Sequence, residues 1–262
     1  MSSLAFTSIR QTVIPIVGKN LQYPVRRVYC VGQNYEQHAR EMQGSTNRAN
    51  PFFFSKNADD LVVDRENYAN CDSQLKIRYP SYTESLHHEV ELVVAIGPHK
   101  KDPSIVEFEN VDMFDVHNLV YGYAVGLDMT RRDLQLQLKA KGHPWEMAKA
   151  FDDAAVISSI VTAEDLHARN PKLFTTPSGD DCKTVEQGHI FLQVNNTPRQ
   201  DCDVSQMVTP IHELVAILSK YVTLRPGDLL YTGTPSGVGP VRKGDEMEAG
   251  IEGLGTIKVS VV

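Results

Sequence analysis

SLHHEVELVVAIG, residues 85–97, leads from a polar cluster into an apolar strand and places two carboxylates one residue apart where that strand begins. Because alternate side chains of a strand project to the same face, Glu89 and Glu91 are expected on one face, with Val90 and Leu92 on the other. Neighbouring carboxylates repel each other unless they stay hydrated, take up a proton, or meet a cation or basic side chains. The stretch therefore predicts a positively charged partner for the pair.

The size and composition of the chain indicate one globular domain over residues 1–262. The 262 residues can bury a substantial core, and 41% hydrophobic with 23% charged residues is typical of soluble globular proteins. The net charge is −7, without a cluster of Lys and Arg, so nucleic acid is not an expected partner. No apolar run is long enough to span a bilayer, so no membrane partner is expected.

Cysteine usage and the N-terminus bear on the compartment. The four cysteines are far apart, without a C-x-x-C pair, which is typical of a reducing environment, and we predict an intracellular protein of the cytoplasm or mitochondrial matrix. Residues 1–27 contain basic residues and no acid, which leaves a mitochondrial presequence open as an alternative. We interpret residues 1–26 as a short N-terminal extension and the polar residues 168–188 as a surface insertion between two strands.

The secondary structure is predicted to be mostly β. Short β-branched or aromatic runs bounded by turn residues indicate strands, and helical spacing of apolar residues indicates helices, with Asn34, Thr130 and Thr209 as expected N-caps. Strands outnumber helices and several adjoin through turns, so we predict a β-rich α+β domain with a mixed or rolled sheet. The predicted strands cover residues 26–31, 52–54, 90–96, 120–127, 190–194, 228–232 and 256–262, and the helices about 34–42, 130–141 and 209–224.

A third acid, Asp128, ends another predicted strand, YGYAVGLD, shortly before a predicted helix. With Glu89 and Glu91 it would form a cluster of oxygen ligands, which favours Mg²⁺ or Mn²⁺ over zinc because hard ions prefer hard oxygen ligands. Spacing alone leaves a second interpretation open, in which the two glutamates line a solvated sheet face and Asp128 caps the helix.

Three further motifs suggest chemistry. In GQNYEQHAREMQG, His38 and Glu41 are three residues apart, so a carboxylate could orient an imidazole to activate water; an exposed surface pair is the alternative. Lys149 follows the lone Trp145 and could serve a substrate carboxylate or extend into solvent. YTGTPSGVG lacks the Lys-Ser/Thr of a P-loop, and we interpret it as a close-approach loop whose backbone amides and threonine hydroxyls could bind an anionic ligand.

These motifs occur together, in this order, in the fumarylacetoacetate hydrolase superfamily, and the chain most closely resembles its small branch of acylpyruvases and oxaloacetate decarboxylases. The combination of E-x-E, G-x-D-M-T-x-R-D and T-G-T-P-x-G-V-G is highly specific. Two departures are Lys56-Asn57 where the family has Lys-Pro, and a longer segment at 168–188. The resemblance covers about residues 27 to 260, through VYCVGQNYEQHAREM, LHHEVELVVAIG, YAVGLDMTRRDLQ, GHPWEMAKAFD and GDLLYTGTPSGVGPVRKGDEMEAGIEGLG.

The resemblance implies a β-roll of mixed sheets, usually dimeric, so a homodimer is expected. It implies that Glu89, Glu91 and Asp128 bind Mg²⁺ or Mn²⁺, and that His38 and Glu41 form a dyad on a lid helix. The remaining implied site residues are an active-site lysine, Lys149, and three substrate contacts, Arg132, Gln135 and Thr234.

By the same resemblance, the protein is a metal-dependent hydrolase or lyase that cleaves a C–C bond in short 2-oxo acids. The expected reaction is acylpyruvate hydrolysis, oxaloacetate decarboxylation, or both, through a metal-bound pyruvate enolate. Two alternatives stay open: an isomerase or tautomerase of 2-hydroxy-dienoate or enol-oxaloacetate substrates, and a non-catalytic binding protein on the same fold. The presence of all three acids with His38 and Glu41 argues against the last of these.

Overall fold

The computed structural model of the chain describes residues 11–69, 72–175 and 183–262. Strands dominate this part of the chain, and helices are few and short. The strands are β1 (Val13–Ile16), β2 (Lys19–Pro24), β3 (Arg27–Gly32), β4 (Phe52–Lys56), β5 (Leu61–Val63), β6 (Ser73–Ile77), β7 (Leu86–His88), β8 (Val90–Ile96), β9 (Val120–Asp128), β10 (Thr130–Arg131), β11 (Ala155–Ile157), β12 (Val161–Thr162), β13 (His189–Val194), β14 (Thr197–Asp203), β15 (Asp228–Tyr231), β16 (Gly239–Val241), β17 (Glu246–Ile251) and β18 (Gly255–Val261).

The described helices are α1 (Glu36–Glu41), α2 (Arg132–Lys141), α3 (Glu146–Lys149), α4 (Ala163–Arg169) and α5 (Ile211–Tyr221), with short 3-10 helices at Ala58–Asp60, Val116–Asn118, Pro171–Phe174 and Val204–Gln206. None of these helices is both long enough and apolar enough to cross a membrane.

Four sheets curl around one another. The largest has the order β4-β3-β15-β8-β9-β11-β5, with β12 also paired to β9. It is mixed, because β15 runs parallel to β3 and β11 runs parallel to β5 while the other pairs are antiparallel. A second sheet has the order β14-β13-β17-β18-β6, and two small sheets are β10-β7-β16 and β1-β2. The predicted β-rich α+β architecture with rolled, mixed sheets is confirmed.

The strand β8 is apolar at almost every position because both of its faces are buried. Leu92 and Val94 pack into the main core cluster, whereas Val93 and Ala95 pack into a second cluster on the other face. A strand buried on both sides has no polar alternation. Glu91 has the same parity as Val93, so the site acids lie on the face of the second cluster, near the strand ends.

The hairpin of β1 and β2 closes this second cluster. Ile14 and Ile16 are buried in it, and so are Tyr23 and Val25. The Tyr23 hydroxyl lies 2.8 Å from the carbonyl oxygen of Ile96 on β8. Residues 13–25 are therefore built into the fold and do not extend from it.

The segment predicted as a surface insertion, residues 168–188, is anchored to the core where it is described. Leu173 and Phe174 are buried at its first half, and Val185 is buried near its end. The interpretation as an exposed excursion is therefore wrong for these positions, because apolar side chains here fill space beside β9 and α4. Residues 176–182 lie outside the described residues.

The three predicted helices exist, but none begins at its predicted cap. Each of α1, α2 and α5 has its N-cap one residue later and lacks a side-chain cap bond. The Asn34 amide instead donates to the carbonyl oxygens of Thr209 and Thr232, at 3.0 and 2.9 Å. Thr130 lies on β10, where its hydroxyl oxygen accepts from Lys149 at 2.7 Å. Asn34 and Thr130 therefore do not cap their own helices. Their side chains instead form hydrogen bonds with buried polar groups of distant segments, because those groups also need hydrogen-bond partners.

Candidate active site

The three predicted acids converge at the ends of β8 and β9. The antiparallel register sets Glu91 opposite Gly126, and the Asp128 amide donates to the Glu89 carbonyl oxygen at 2.9 Å. One ligand oxygen from each of Glu89, Glu91 and Asp128 lies within 4.8 Å of the others. The three residues are exposed by only 4%, 1% and 0%. The alternative of a solvated sheet face is therefore wrong, because all three acids are buried. Buried acids need positively charged partners.

Lys149 supplies part of that positive charge. From the end of α3, its ammonium donates to Glu89 Oε2 at 2.8 Å, Asp128 Oδ2 at 2.7 Å and Thr130 Oγ1 at 2.7 Å. Its side chain is only 4% exposed, so it does not extend into solvent. Burial acts to lower the pKa of Lys149, but the charges of Asp128 and Glu89 outweigh burial and raise it.

Arg132 and Gln135 lie on the first turn of α2 and are buried. Arg132 donates to Glu89 Oε1 and, at 2.6 Å, to Gln135 Oε1. Burial acts to raise the pKa of Glu89, but the charges of Lys149 and Arg132 hold it well below its ordinary value. Glu89 is therefore ionised and held from two sides.

Lys56 is a site residue that the sequence analysis did not select. It ends β4, is 3% exposed, and its ammonium lies 2.7 Å from Asp128 Oδ1. It also donates to the carbonyl oxygens of Met129, at 3.1 Å, and Lys149. Two sequence signals were available: Lys56 directly ends an aromatic strand, and it matches the lysine of the family's Lys-Pro, although Asn57 replaces the proline.

Glu91 differs from the other two acids because its described hydrogen bond comes from a backbone amide, that of Gly233, at 2.7 Å. Burial and the charges of Asp128 and Glu89 raise its pKa well above the ordinary value. Of the three acids, Glu91 is therefore the one whose ionised form an added cation would stabilise most.

His38 and Glu41 lie on α1, and His38 lines the cavity that Glu89 and Glu91 also line. His38 is buried, and its Nδ1 lies 3.5 Å from Glu41 Oε2, so the surface-pair alternative is wrong for the histidine. Burial lowers the pKa of His38, and the charge of Glu89 only partly opposes this. The imidazole is therefore neutral near pH 7.

The backbone amides of YTGTPSGVG bind the protein's own carboxylates. Gly233 donates to Glu91, and Gly237 donates to both oxygens of Glu41 at 3.0 and 3.2 Å. The interpretation of these amides as a site for an anionic ligand is therefore wrong for these two residues. The loop instead joins the acid cluster to the helix that carries His38.

Thr234 belongs to the same loop and is held by Gln200, a second residue that the sequence analysis missed. The Gln200 amide donates to Thr234 Oγ1 at 2.7 Å, and its oxygen accepts from the Val90 amide at 3.1 Å. Because Thr234 Oγ1 accepts from Gln200, its own hydroxyl proton is free to be donated into the adjoining cavity. No sequence motif marks Gln200, because it lies on β14, far from the acids along the chain.

One cavity of about 40 Å³, open to solvent at one end, brings most of the predicted residues together. Asp128 lies beneath it, in contact with Lys149, and Glu41 lies behind His38. The predicted site residues that line it are His38, Glu89, Glu91, Arg132, Gln135, Lys149 and Thr234.

The donor set fits a hard divalent ion. Glu89, Glu91 and Asp128 offer only oxygen atoms, they are buried, and they lie close enough together for one ion. Mg²⁺ and Mn²⁺ prefer carboxylate oxygens of this kind, whereas zinc prefers nitrogen and sulfur. The predicted triad therefore suits Mg²⁺ or Mn²⁺.

The chain belongs to the fumarylacetoacetate hydrolase family. The family model described as fumarylacetoacetate (FAA) hydrolase C-terminal matches residues 27–262. This agrees with the class indicated by the curled mixed sheets and the acid triad.

Individual relatives are similar over nearly their whole length. The chain is 38% identical to a fumarylpyruvate hydrolase of Ralstonia sp over 80% of this chain and 92% of the relative. It is 36% identical to an oxaloacetate tautomerase of Escherichia coli over 90% of this chain and 93% of the relative. The crystal structure of fumarylpyruvate hydrolase from Pseudomonas aeruginosa in complex with Mn²⁺ and pyruvate matches with a TM-score of 0.82, at 38% identity, covering 99% of this chain and 100% of that one.

Proposed function

We propose that the protein is a divalent-metal-dependent enzyme that cleaves a C–C bond in short 2-oxo acids, with acylpyruvate hydrolysis as its principal reaction. The observation that carries this proposal is the His38–Glu41 pair held above three buried acids. The names of the relatives support it, because a fumarylpyruvate hydrolase and oxaloacetate enzymes are similar to this chain over most of its length.

The acids Glu89, Glu91 and Asp128 would hold Mg²⁺ or Mn²⁺. A divalent ion bound there would supply Lewis-acid polarisation of a 2-oxo acid and charge stabilisation as the C–C bond breaks. Lys149 and Arg132 keep Glu89 ionised through direct hydrogen bonds, so this ligand remains charged at neutral pH.

His38 is the residue suited to act on water. As a neutral base it takes a proton from water at Nε2, and the hydroxide attacks the distal carbonyl carbon of the acylpyruvate. The bond to the pyruvate methylene then breaks, and the imidazolium returns its proton to the leaving pyruvate enolate. Glu41 stabilises the imidazolium from the Nδ1 side, and α1 excludes bulk water from the cavity.

Assays of product formation test the proposal. Purified protein is incubated with acetylpyruvate, fumarylpyruvate or oxaloacetate, with Mg²⁺ or Mn²⁺ and with a chelator. We expect pyruvate release that the chelator abolishes and added metal restores, and oxalate should inhibit only when metal is present because it resembles the planar pyruvate enolate. Full pyruvate release after metal removal would contradict the proposal.

A second candidate function is keto–enol tautomerisation of oxaloacetate. The similarity to an oxaloacetate tautomerase favours it, and His38 alone could carry it out by taking the proton of the enol hydroxyl and returning a proton to the adjacent carbon. Exchange between enol and keto oxaloacetate without pyruvate or carbon dioxide release would favour this candidate over cleavage.

A further inference from the structure

The active-site cavity extends beyond the acids into an outer end of different chemistry. The inner end contains Glu89 and Glu91, which are buried, whereas Leu136 at the outer end is 51% exposed. The side chains that line this outer end, called here the outer subsite, are Gln33, Met42, Phe54, Leu136, Lys139 and Trp145. The outer subsite contains no carboxylate.

An aromatic wall joins the two ends of the cavity. The Lys149 ammonium lies 5.0 Å from the centre of the Phe54 ring. The Phe54 ring in turn lies 6.4 Å, centre to centre, from the ring of Trp145. A flat, unsaturated acyl chain that leaves the inner end would therefore pack along aromatic surface.

A lysine side chain, that of Lys139, lies at the far end of this aromatic wall. Lys139 is exposed and, among the described residues, its ammonium makes one hydrogen bond, a long one of 3.3 Å to the Met42 carbonyl oxygen. No described salt bridge neutralises it, unlike Lys149 and Arg132 at the inner end. An unpaired ammonium on an apolar cavity rim favours an anionic group.

The spacing along α2 fits a long diacid. Arg132, Gln135 and Lys139 follow one another at helical intervals of three and four residues, so they share one face of the helix. The seven residues from Arg132 to Lys139 rise about 10 Å. The second carboxylate of oxaloacetate lies too close to its keto group to reach both ends, whereas an acylpyruvate with a four-carbon diacid chain is long enough.

Gln33 adds a neutral hydrogen-bonding group to the outer subsite. Its backbone has a φ of 59°, in the left-handed region that side-chain-bearing residues rarely adopt. The folded structure maintains this costly conformation at a position that lines the cavity. Its carboxamide can donate to the same anionic end of a substrate.

Resting on the function proposed above, we propose that Lys139 is a specificity-determining residue, which makes this site prefer acylpyruvates whose acyl chain ends in a carboxylate over those with a neutral acyl chain. The Phe54–Trp145 wall packs against the flat acyl chain, and Lys139 with Gln33 binds the distal carboxylate.

The test compares kcat/KM for fumarylpyruvate, its distal monomethyl ester and acetylpyruvate in the wild type, Lys139→Met and Lys139→Arg. In Lys139→Met the ratio of kcat/KM for fumarylpyruvate to that for acetylpyruvate should fall at least tenfold. Lys139→Arg should keep the ratio within threefold because the charge is retained. The ratio of kcat/KM for the monomethyl ester to that for acetylpyruvate should be the same in all three proteins, since the ester lacks the distal charge.

Lys141→Met is the matched control, because Lys141 ends the same helix, is exposed and does not line the cavity. An unchanged substrate ratio in Lys139→Met would overturn the proposal, including the case in which all rates fall together through loss of the contact with Met42. If the wild type cleaves acetylpyruvate but the ratio is insensitive to Lys139, only the subsite is refuted. If the wild type cleaves none of the three, the proposed function itself is refuted.

Discussion

Three buried carboxylates coexist at this site because three basic side chains contact two of them. Lys56 and Lys149 bind Asp128 from opposite oxygens, while Lys149 and Arg132 bind Glu89. Charges this deeply buried are tolerated only when they are paired and hydrogen-bonded. Among the residues that the structure describes, no basic side chain contacts Glu91, so it is the position where a ligand can be altered with least disturbance to the fold.

Glu91→Gln should weaken metal binding without unfolding the protein. The amide oxygen of glutamine can still accept from the Gly233 amide, but it lacks the negative charge that attracts a divalent ion. We expect the Kd for Mn²⁺ to rise on the order of 100-fold, since loss of a residue that merely supports a ligand already costs about 10–100-fold. Isothermal titration calorimetry measures this, and unfolding by urea provides the control for folding. An unchanged Kd would remove Glu91 from the ligand set.

The pH dependence of hydrolysis should report His38. Burial lowers its pKa below the ordinary value of 6.5, so the neutral, basic form persists at neutral pH and is lost only as the pH falls further. We therefore expect kcat/KM for acetylpyruvate to decline on the acid side with a midpoint below pH 6.5, measured with metal saturating at each pH.

His38→Ala is the matched variant for this profile. It should lower hydrolysis about 10²–10⁴-fold, the usual contribution of a general base, and should leave the Kd for Mn²⁺ close to that of the wild type. If kcat/KM of this variant still declined at acidic pH, a group other than His38 would cause the decline.

At the level of elements, α1 depends on its neighbours for its stability. It has six residues and no side-chain cap bond, and an isolated helix of that length is not stable in water. The loop between β15 and β16, residues 232–238, holds it through Gly237 bound to Glu41 and Ser236 bound to Gln37 at 3.1 Å. The position of His38 therefore depends on how this loop is built.

Gly237→Ala should disturb that loop strongly. Its φ is +94°, and a Cβ there would lie 1.9 Å from the Arg199 carbonyl oxygen. We expect a loss of more than about 3 kcal/mol in the free energy of unfolding, or loss of hydrolysis if the loop shifts instead. Gly142→Ala is the control, since its φ is +65° but no atom lies within 4 Å of the new Cβ, and about 1 kcal/mol is expected. Equal effects of the two variants in urea unfolding would contradict this account.

At the level of the whole molecule, the central sheet separates two core clusters, and the β1–β2 hairpin closes the smaller one. The site acids lie on the side of this smaller cluster, so the hairpin supports the sheet that positions them. The homodimer implied by the family resemblance, and an intracellular location, stay predictions; light scattering of the purified protein measures the first.

Ile14→Ala should show that the hairpin belongs to the folding unit. Ile14 is fully buried in the second cluster, and truncation of a buried isoleucine typically costs about 2–5 kcal/mol. Leu21→Ala on the same hairpin is the control, because Leu21 is 57% exposed and should cost less than about 1 kcal/mol. Urea unfolding followed by circular dichroism measures both, and similar small losses would indicate that the hairpin packs loosely.

The sequence by itself determined the strand pattern and the acid triad. A period of two sets Glu89 and Glu91 on one face wherever the strand forms, and the specific combination of motifs identified the family and the dyad. The strand pattern and the Glu89–Glu91 pair depend on neighbours within a few residues, where the geometry of a strand is fixed in advance. The place of Asp128 in the triad came from the family resemblance, because spacing alone left it open.

Only the tertiary structure decided how the site is held together. Lys56 reaches Asp128, and Gln200 joins Val90 to Thr234, across long separations along the chain. The expected caps failed for the same reason, since Asn34 bonds to Thr209 and Thr232 instead of to its own helix. A buried polar side chain takes whichever partner the assembled fold brings near it, and local spacing carries no information about that partner.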